Sequence, residues 1–599
     1  MSSASRTLPD GVGLAETLVD PSFDLGWSLI QRFSVLSRES GSLDERAAAH
    51  FISSRLESLE IPHDVHEAEL HLSLPRSASV AFGEERIEGK AASFSVSTPG
   101  KGVSGAPMQL PLKADADGDG DEGAEAGSAR QAVPYEWAGK IVIAEGYPEP
   151  SLVARLEAAG AIAQLYVNPG SRIHWSACSP IWGSPGESQM GMKPKTPVVS
   201  IDRRGGDLLL EAVADGLDEV VVHAELDEGW YDCPVPVARI DGLRKDFVLV
   251  HGHYDSWDIG IGSNAVGNAT MLELARLFHE RQGEMRRSLR IAWWPGTLTG
   301  SFAGSAWYAD NFALEIARNC VAAVNVESPG CLGATDYDDV VWMAEAEDIC
   351  RAAIASVTEA EPTGGRPPRA GDCSFNELGV TSLLKTLSKI PSEERERLGY
   401  YPVGGCGGNI AWRTEADRLK VADRSSLERD LRVYLTLVSR LLNDEVLPLD
   451  FRRTAAELDE ALAGNEATIS RQLGKKFNLA PLRTTFNGLV RRLDRLYEGI
   501  EDGKVAPTVA NRSLVGTGRA LVRLGYAERP RFEHGPALER PLIPTLARVP
   551  DLEGLLEDDP DRFWHVVTGL RRRMNRVVED LQVACQLLDD AWNARGRDG

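Results

Sequence analysis

Two histidines and an aspartate fall within five residues, His251-Gly252-His253-Tyr254-Asp255, at the end of the apolar run 247–250. Thr297 and Leu298 follow a second apolar run, 288–294, and Glu327 closes a third, 320–327. Imidazole and carboxylate donors in one place suit metal-assisted hydrolysis, where nitrogen and oxygen ligands hold the ion and a base deprotonates its water. On a strand, His251 and His253 point to the same face, so with Glu327 they could form a site for one metal. The competing reading of His253 is a hydrogen-bonded histidine at a strand end. Cys331, Cys373 and Cys406 lie close in sequence to these motifs. A thiol nucleophile with His253 as base is conceivable, against the ordinary reading of buried, inert thiols.

The elements that must position these residues alternate. FVLVHGH, SLRIAWW and CVAAVNVE read as short apolar strands, separated by helical stretches at 265–282 and 302–318. That alternation predicts a largely parallel sheet sandwiched by helices. Ligands of such sheets gather beyond the carboxyl ends of the strands. His253, Thr297, Leu298 and Glu327 all fall there, which predicts a common crevice.

Upstream, 14–60 reads as helical, with Phe51, Ile52, Leu56 and Leu59 on one face after the start signal Ser42-Leu43-Asp44-Glu45. From about 76 the pattern shifts to short strands and turns, and 139–167 reads as strand, helix, strand. After Pro448 the strands stop, and long helical patterns run through 484–502 and 561–595. The expected division is therefore 1–75, 76–232, 233–447 and 448–599. Segment 115–125 imitates the start of a calcium-binding loop, with Asp115, Asp117, Asp119, Gly120 and Asp121. Its twelfth position is Ala126, so it reads as a solvated acidic loop.

Composition narrows the partners. The 599 residues are 43% hydrophobic and 26% charged, ordinary for a globular chain. A net charge of -24 disfavours nucleic acid and anionic membrane, both polyanions. No apolar run approaches the ~18 residues that span a bilayer, and MSSASRTLPDGVG lacks the pattern of a secretory signal. Eight scattered cysteines without a CxxC pair suggest reduced thiols and a cytoplasmic setting.

The stretches HGHYDSWDIGIGSNAVGNATMLELAR and RIAWWPGTLTGSFAGSAWY resemble the co-catalytic zinc peptidase family of bacterial aminopeptidases, glutamate carboxypeptidase and the transferrin receptor. The resemblance implies a zinc-aminopeptidase-like domain with a protease-associated insert at 76–232 and a C-terminal helical dimerisation domain. It also implies residue roles. His253 stands at the first His ligand, and Asp255 at the aspartate that steers it. Ser263 in SNAVG stands at the bridging Asp. Thr297 stands at the general base, Leu298 at its neighbouring Glu ligand, and Glu327 at an Asp ligand. Arg413 in GGNIAWRTEAD stands at the last His. Asp372 in RAGDCSF matches a position near the substrate pocket, with a turn or capping Asp as the alternative.

Those substitutions count against the family's reaction. Ser263 is not anionic, Leu298 has no donor, Thr297 has no useful pKa, and Arg413 brings a permanent positive charge. No histidine lies between His279 and His534 to replace the missing one. The expected pocket is Tyr254, Trp257, Asp372, Trp412 and Arg413, with Arg413 pairing with Glu327 or with an anionic ligand. The expectation is a non-catalytic binding or assembly subunit without a cofactor, like the transferrin receptor, which keeps the fold without peptidase activity. The alternative is a divergent amide hydrolase using one divalent metal ion or none. Expected partners are a second copy, in a homodimer, or a catalytically intact paralogue, in a heteromer, with a peptide or small-molecule ligand.

Overall fold

Residues 8–18, 22–111, 137–368, 372–383, 387–473, 477–552 and 554–594 are described by a computed structural model. The acidic stretch 115–126 lies outside them. The strand Phe247–His253 is buried at every position and sits between two parallel neighbours, Ser288–Trp294 and Cys320–Asn325. Strands covered on both faces read as continuous apolar runs, which is why these three were legible. Ser382–Leu383 adds a further parallel edge. Helices such as Val266–His279 and Arg424–Asn443 pack on one face, in a core that includes Val248 and Val250. Phe247 and Leu249 join a second core on the other face.

Beyond Ser288–Trp294 the sheet turns antiparallel through two long strands, Val220–Ile240 and His63–Phe82. They carry it on to Glu85–Ala91 and then to a parallel set, Val198–Ile201, Ala163–Val167, Ile141–Glu145 and Pro107–Gln109. The smaller parallel half has its own core around Ile143, Leu165 and Val199. The result is one mixed, mostly parallel sheet of twelve strands flanked by helices, with a helical C-terminal region.

Three details differ from the expectation. The stretch 14–60 is three helices, Gly11–Thr17, Asp24–Phe33 and Leu43–Ser58. The left-handed Gly41 (φ 80°) breaks the chain, and Ser42 then caps the third helix by accepting from the Glu45 amide at 3.1 Å. The strands begin before 76, because His63–Phe82 spans twenty residues. The stretch 302–318 is two helices, Ala303–Asn311 and Ala313–Asn319, parted at Phe312.

The C-terminal region packs Phe451–Leu473, Ala480–Glu501, Pro507–Tyr526 and Pro560–Ala594 on one another. Phe563, Val567, Leu570 and Met574 face inward, so this apolar stripe is spent within the chain. Trp564 and Val583 remain exposed on the last helix. Among the described residues, no helix is long and apolar enough to cross a membrane.

Glu45 is fully buried on the third helix, and its Oε2 accepts from the Gly41 amide at 2.8 Å. Burial raises its pKa to about 8, against the opposing pull of that amide. A carboxyl raised in the folded state contributes stability that is full below its unfolded pKa and is lost as pH rises through 8. Glu45→Gln keeps an acceptor for Gly41 and removes the charge. Its advantage over the wild type in urea unfolding is expected to grow between pH 5 and pH 8, at about 1.4 kcal/mol per unit of pKa difference. Parallel stability profiles for the two proteins would contradict this.

Candidate functional site

The loop that leaves Phe247–His253 is buried and irregular, so its backbone groups need side-chain partners. Arg38, fully buried, supplies several. Its guanidinium donates to the carbonyls of Tyr254 (2.7 Å), Ile259 (2.5 Å) and Gly260 (3.0 Å). Asn264 joins two strand ends, donating to the Val326 carbonyl (2.9 Å) and accepting from the Ser328 amide (2.9 Å). Asn268 donates to the His253 carbonyl at 3.1 Å. Asp417 accepts from the amides of Gly262 (2.6 Å) and Ser263 (3.0 Å). The Ser263–Asn264 peptide is cis.

These clamps fix His253 and Asp255. The His253 Nδ1–H donates to the Asp255 carbonyl at 3.0 Å, and Asp255 Oδ1 lies 3.2 Å away. The other oxygen of Asp255 accepts from the Leu298 amide at 3.0 Å, tying the second strand end to the first. Burial pulls the His253 pKa down, but the hydrogen bond and charge of Asp255, with the charge of Glu327, outweigh it and leave it raised.

A cavity of about 550 Å³ opens beyond the strand ends. Thr297, Leu298, Glu327, Trp412 and Arg413 all line it, whereas His253, expected in the same crevice, is not part of its lining. Tyr147, Glu149 and Trp175 from the 76–232 region form another wall, and Ala537 and Leu538 from the C-terminal region a third. Thr297 Oγ1 is buried without a hydrogen-bond partner. Arg413 is half-buried, its guanidinium lies 4.4 Å from the centre of the Trp412 ring, and its Nε is buried without a partner. Burial lowers its pKa, opposed by the charges of Glu327, Glu149 and Asp255.

Several expectations are corrected. Tyr254 is not a pocket residue: it is fully buried and its hydroxyl donates to the Pro234 carbonyl at 2.7 Å. Arg413 makes no ion pair with Glu327; the two share the cavity and interact only through space. Trp257 lies just aside, stacked parallel to Trp175 at 6.4 Å, in a small recess with Ser263, Arg413 and Asp417. Asp372 caps a turn, accepting from the Ser374 amide at 3.0 Å, and its other oxygen is 3.6 Å from His251. His251 is engaged elsewhere: its Nδ1 lone pair accepts from Trp294 Nε1 at 3.0 Å. Cys331, Cys373 and Cys406 are buried and outside the cavity lining, and burial pushes the thiols of Cys331 and Cys406 well up, which removes the thiolate a nucleophile needs.

A pair of divalent ions does not fit this donor set. Among the described residues, no three His, Cys, Asp or Glu side chains converge as metal ligands. His253 and Glu327 offer donors, but Ser263 is neutral, Leu298 has no donor and Arg413 is itself a cation. Arg38, Asn264, Asp417 and Trp175 were not singled out from sequence. Arg38 lies more than 200 residues from its partners Tyr254, Ile259 and Gly260; Asn264 and Asp417 fall within SNAVG and GGNIAWRTEAD, stretches read for Ser263 and Arg413 instead, and no local motif marks Trp175.

Residues 237–354 match the model of peptidase family M28. Carboxypeptidase Q of Mus musculus is 30% identical over 156 residues, which is 25% of this chain and 32% of that relative. Carboxypeptidase Q of Rattus norvegicus is 29% identical over 122 residues, 19% of this chain and 26% of that relative. The chain thus matches about a third or less of the length of these relatives. Among solved structures, a zinc aminopeptidase from Bacillus subtilis aligns with a TM-score of 0.53 at 17% identity, over 71% of this chain and 96% of that one. A peptidase M28 precursor from Shewanella amazonensis aligns with a TM-score of 0.53 at 17% identity, over 73% and 97%. Both share the fold.

The Asp417 carboxylate is the partner of two buried amides, so its loss strands them. Asp417→Ala is expected to destabilise the protein by about 1–3 kcal/mol per stranded amide. Urea unfolding checks this, and an unchanged midpoint would show that the loop at 262–263 does not depend on Asp417.

Proposed function

We propose, from a chain whose residues 237–354 match the model of peptidase family M28, that this protein keeps the peptidase fold and a ligand-binding crevice without two-zinc hydrolysis. It acts as a binding or assembly subunit. The observation that carries this reading is Arg413, a fixed cation in the wall of the crevice beside Leu298 and Thr297. A cation there repels a divalent ion, the Leu298 side chain offers no ligand, and Thr297 cannot deprotonate a water. The clamps that hold the strand ends need no metal. The chain pairs through its C-terminal helices with a second copy or with an intact paralogue, in keeping with the prevalence of closed two-fold dimers. Its eight cysteines, none of them in a disulfide, suit a reducing compartment.

A second reading is favoured by the His253–Asp255 pair. An imidazole held by a carboxylate, with a raised pKa, could serve a divergent amide hydrolase using one metal or none. The carboxypeptidase name of the matched relatives points to the same reaction class.

Metal analysis of the purified protein separates the readings. Fewer than two zinc equivalents per chain are expected, and two tightly held equivalents would sink the proposal. Turnover of amino-acyl anilides is expected to be absent, since removing a positioned base alone costs ~10²–10⁴-fold. Turnover abolished by His253→Ala, and falling at acid pH with an apparent pKa above the ordinary histidine value, would establish the second reading instead. Light scattering should give a dimer; a monomer at micromolar concentration, with no co-purifying homologue, would defeat the assembly role.

A further inference from the structure

The cavity contains hydrogen-bond donors that the protein does not use. Arg413 Nε, Arg395 Nε, Thr297 Oγ1 and Tyr147 Oη are all buried without a hydrogen-bond partner, and all four residues line this one space. Donors removed from water without a partner cost free energy, and gathering four around one cavity makes sense if an occupant accepts from them. Neither Arg413 nor Arg395 has an ion-pair partner within 4 Å among the described residues. Lys389, at the rim, is paired with Asp339 at 3.4 Å.

The backbone aims Arg413. Its φ is 52°, in the left-handed region that non-glycine residues rarely enter. Two contacts from the facing wall hold it there. The Trp175 amide donates to the Arg413 carbonyl at 2.9 Å, and the His174 Nδ1–H donates to the Trp412 carbonyl at 2.7 Å. Tyr401 donates to the other nitrogen of His174 at 2.9 Å, and burial lowers the His174 pKa to about 4, so the ring stays neutral in this role. Ser301, Phe302 and Asp339, also in the cavity wall, have positive φ as well. Unfavourable backbone conformations of this kind cluster where ligands are gripped.

We propose that the cavity binds an oxyanion, a carboxylate or phosphate ester carried on an aromatic or apolar body, with Arg413 as its principal donor and Arg395 as a second. The planar guanidinium fork matches either anion in a bidentate way. The guanidinium lies over the Trp412 ring, and Trp175, Leu298, Phe302 and Leu538 supply apolar wall for the body. Glu327, Glu149 and Glu539 line the same space. Their charge excludes ligands of high negative charge and favours a single oxyanion.

This inference rests on the reading of the crevice as a ligand site and is tested apart from the loss of catalysis. Calorimetric titrations use the full chain in EDTA, with N-acetyl-phenylalanine, its amide and phenyl phosphate as probes. N-acetyl-phenylalanine or phenyl phosphate should bind, and the tighter of the two identifies the anion. The neutral amide should bind at least about tenfold more weakly than the acid, the scale of one lost charge-assisted hydrogen bond. Arg413→Met should abolish the preference for acid over amide, and Arg413→Lys should restore part of it. Equal binding of acid and amide, an unchanged preference in a folded Arg413→Met, or no binding of either anion at millimolar concentration would overturn the proposal. The acid–amide comparison on the wild-type chain decides even if the variants fail to fold. Hydrolysis in a parallel zinc-supplemented sample would count against the non-catalytic reading alone.

Discussion

Buried irregular backbone is the constraint on which this architecture depends. Between His253 and Val266 the chain leaves a central strand, loops beneath the surface and enters a helix without regular pairing of its own. Its carbonyls and amides find partners in Arg38, Asn264, Asn268 and Asp417, contributed from positions as far apart as 38 and 417. Leaving such groups unpaired costs about 1–3 kcal/mol apiece. The chain is therefore held to this loop geometry whatever chemistry the crevice performs. A fold of this kind can lose donor residues and keep its framework, because framework and donors are different side chains. Ser263 shows the separation: its amide is held by Asp417 while its side chain is not an anionic ligand.

That separation explains what was legible in the sequence. The three apolar strands stood out because burial on both faces leaves no polar alternation, and the parallel arrangement then put Thr297, Leu298 and Glu327 around one space with Arg413. Rules about strand ends need only local pattern and topology. Partners that depend on distant packing were not legible. Arg38 reads in sequence as one more surface arginine, and nothing near Asp417 announces that two amides 155 and 154 residues away need it. Tyr254 failed for a related reason. It sits within the motif, but alternation along the chain turns it into the core, to the carbonyl of Pro234. The strand His63–Phe82 was missed because HDVHEAEL is polar, and pairing with Val220–Ile240 overrides that local composition.

Arg413 and Glu327 share the crevice without neutralising each other directly. A buried pair of Arg413 and Glu327 would have closed the space on itself, with desolvation offsetting much of the Coulomb gain. Instead the Arg413 guanidinium lies 4.4 Å from the centre of the Trp412 ring, and Glu327 remains a separate wall group. The cation is stabilised at a distance by three carboxylates, which lets the guanidinium stay charged without occupying its fork. The aspartate beside His253 follows the opposite logic. Asp255 sets one oxygen 3.2 Å from the imidazole and accepts the Leu298 amide on the other, and so links one strand end to the next.

The walls of the cavity come from three parts of the chain, and this bears on how it would respond to an occupant. The Trp175–Arg413 and His174–Trp412 hydrogen bonds tie the 76–232 region to the loop that carries Arg413. The Ala537 amide donates to the Pro180 carbonyl at 2.9 Å and brings the C-terminal segment against the same region. A ligand gripped by Arg413 thus touches a residue whose backbone is set by another wall. The crevice is in this sense a joint, and the same contacts that orient one guanidinium hold the parts of the chain together.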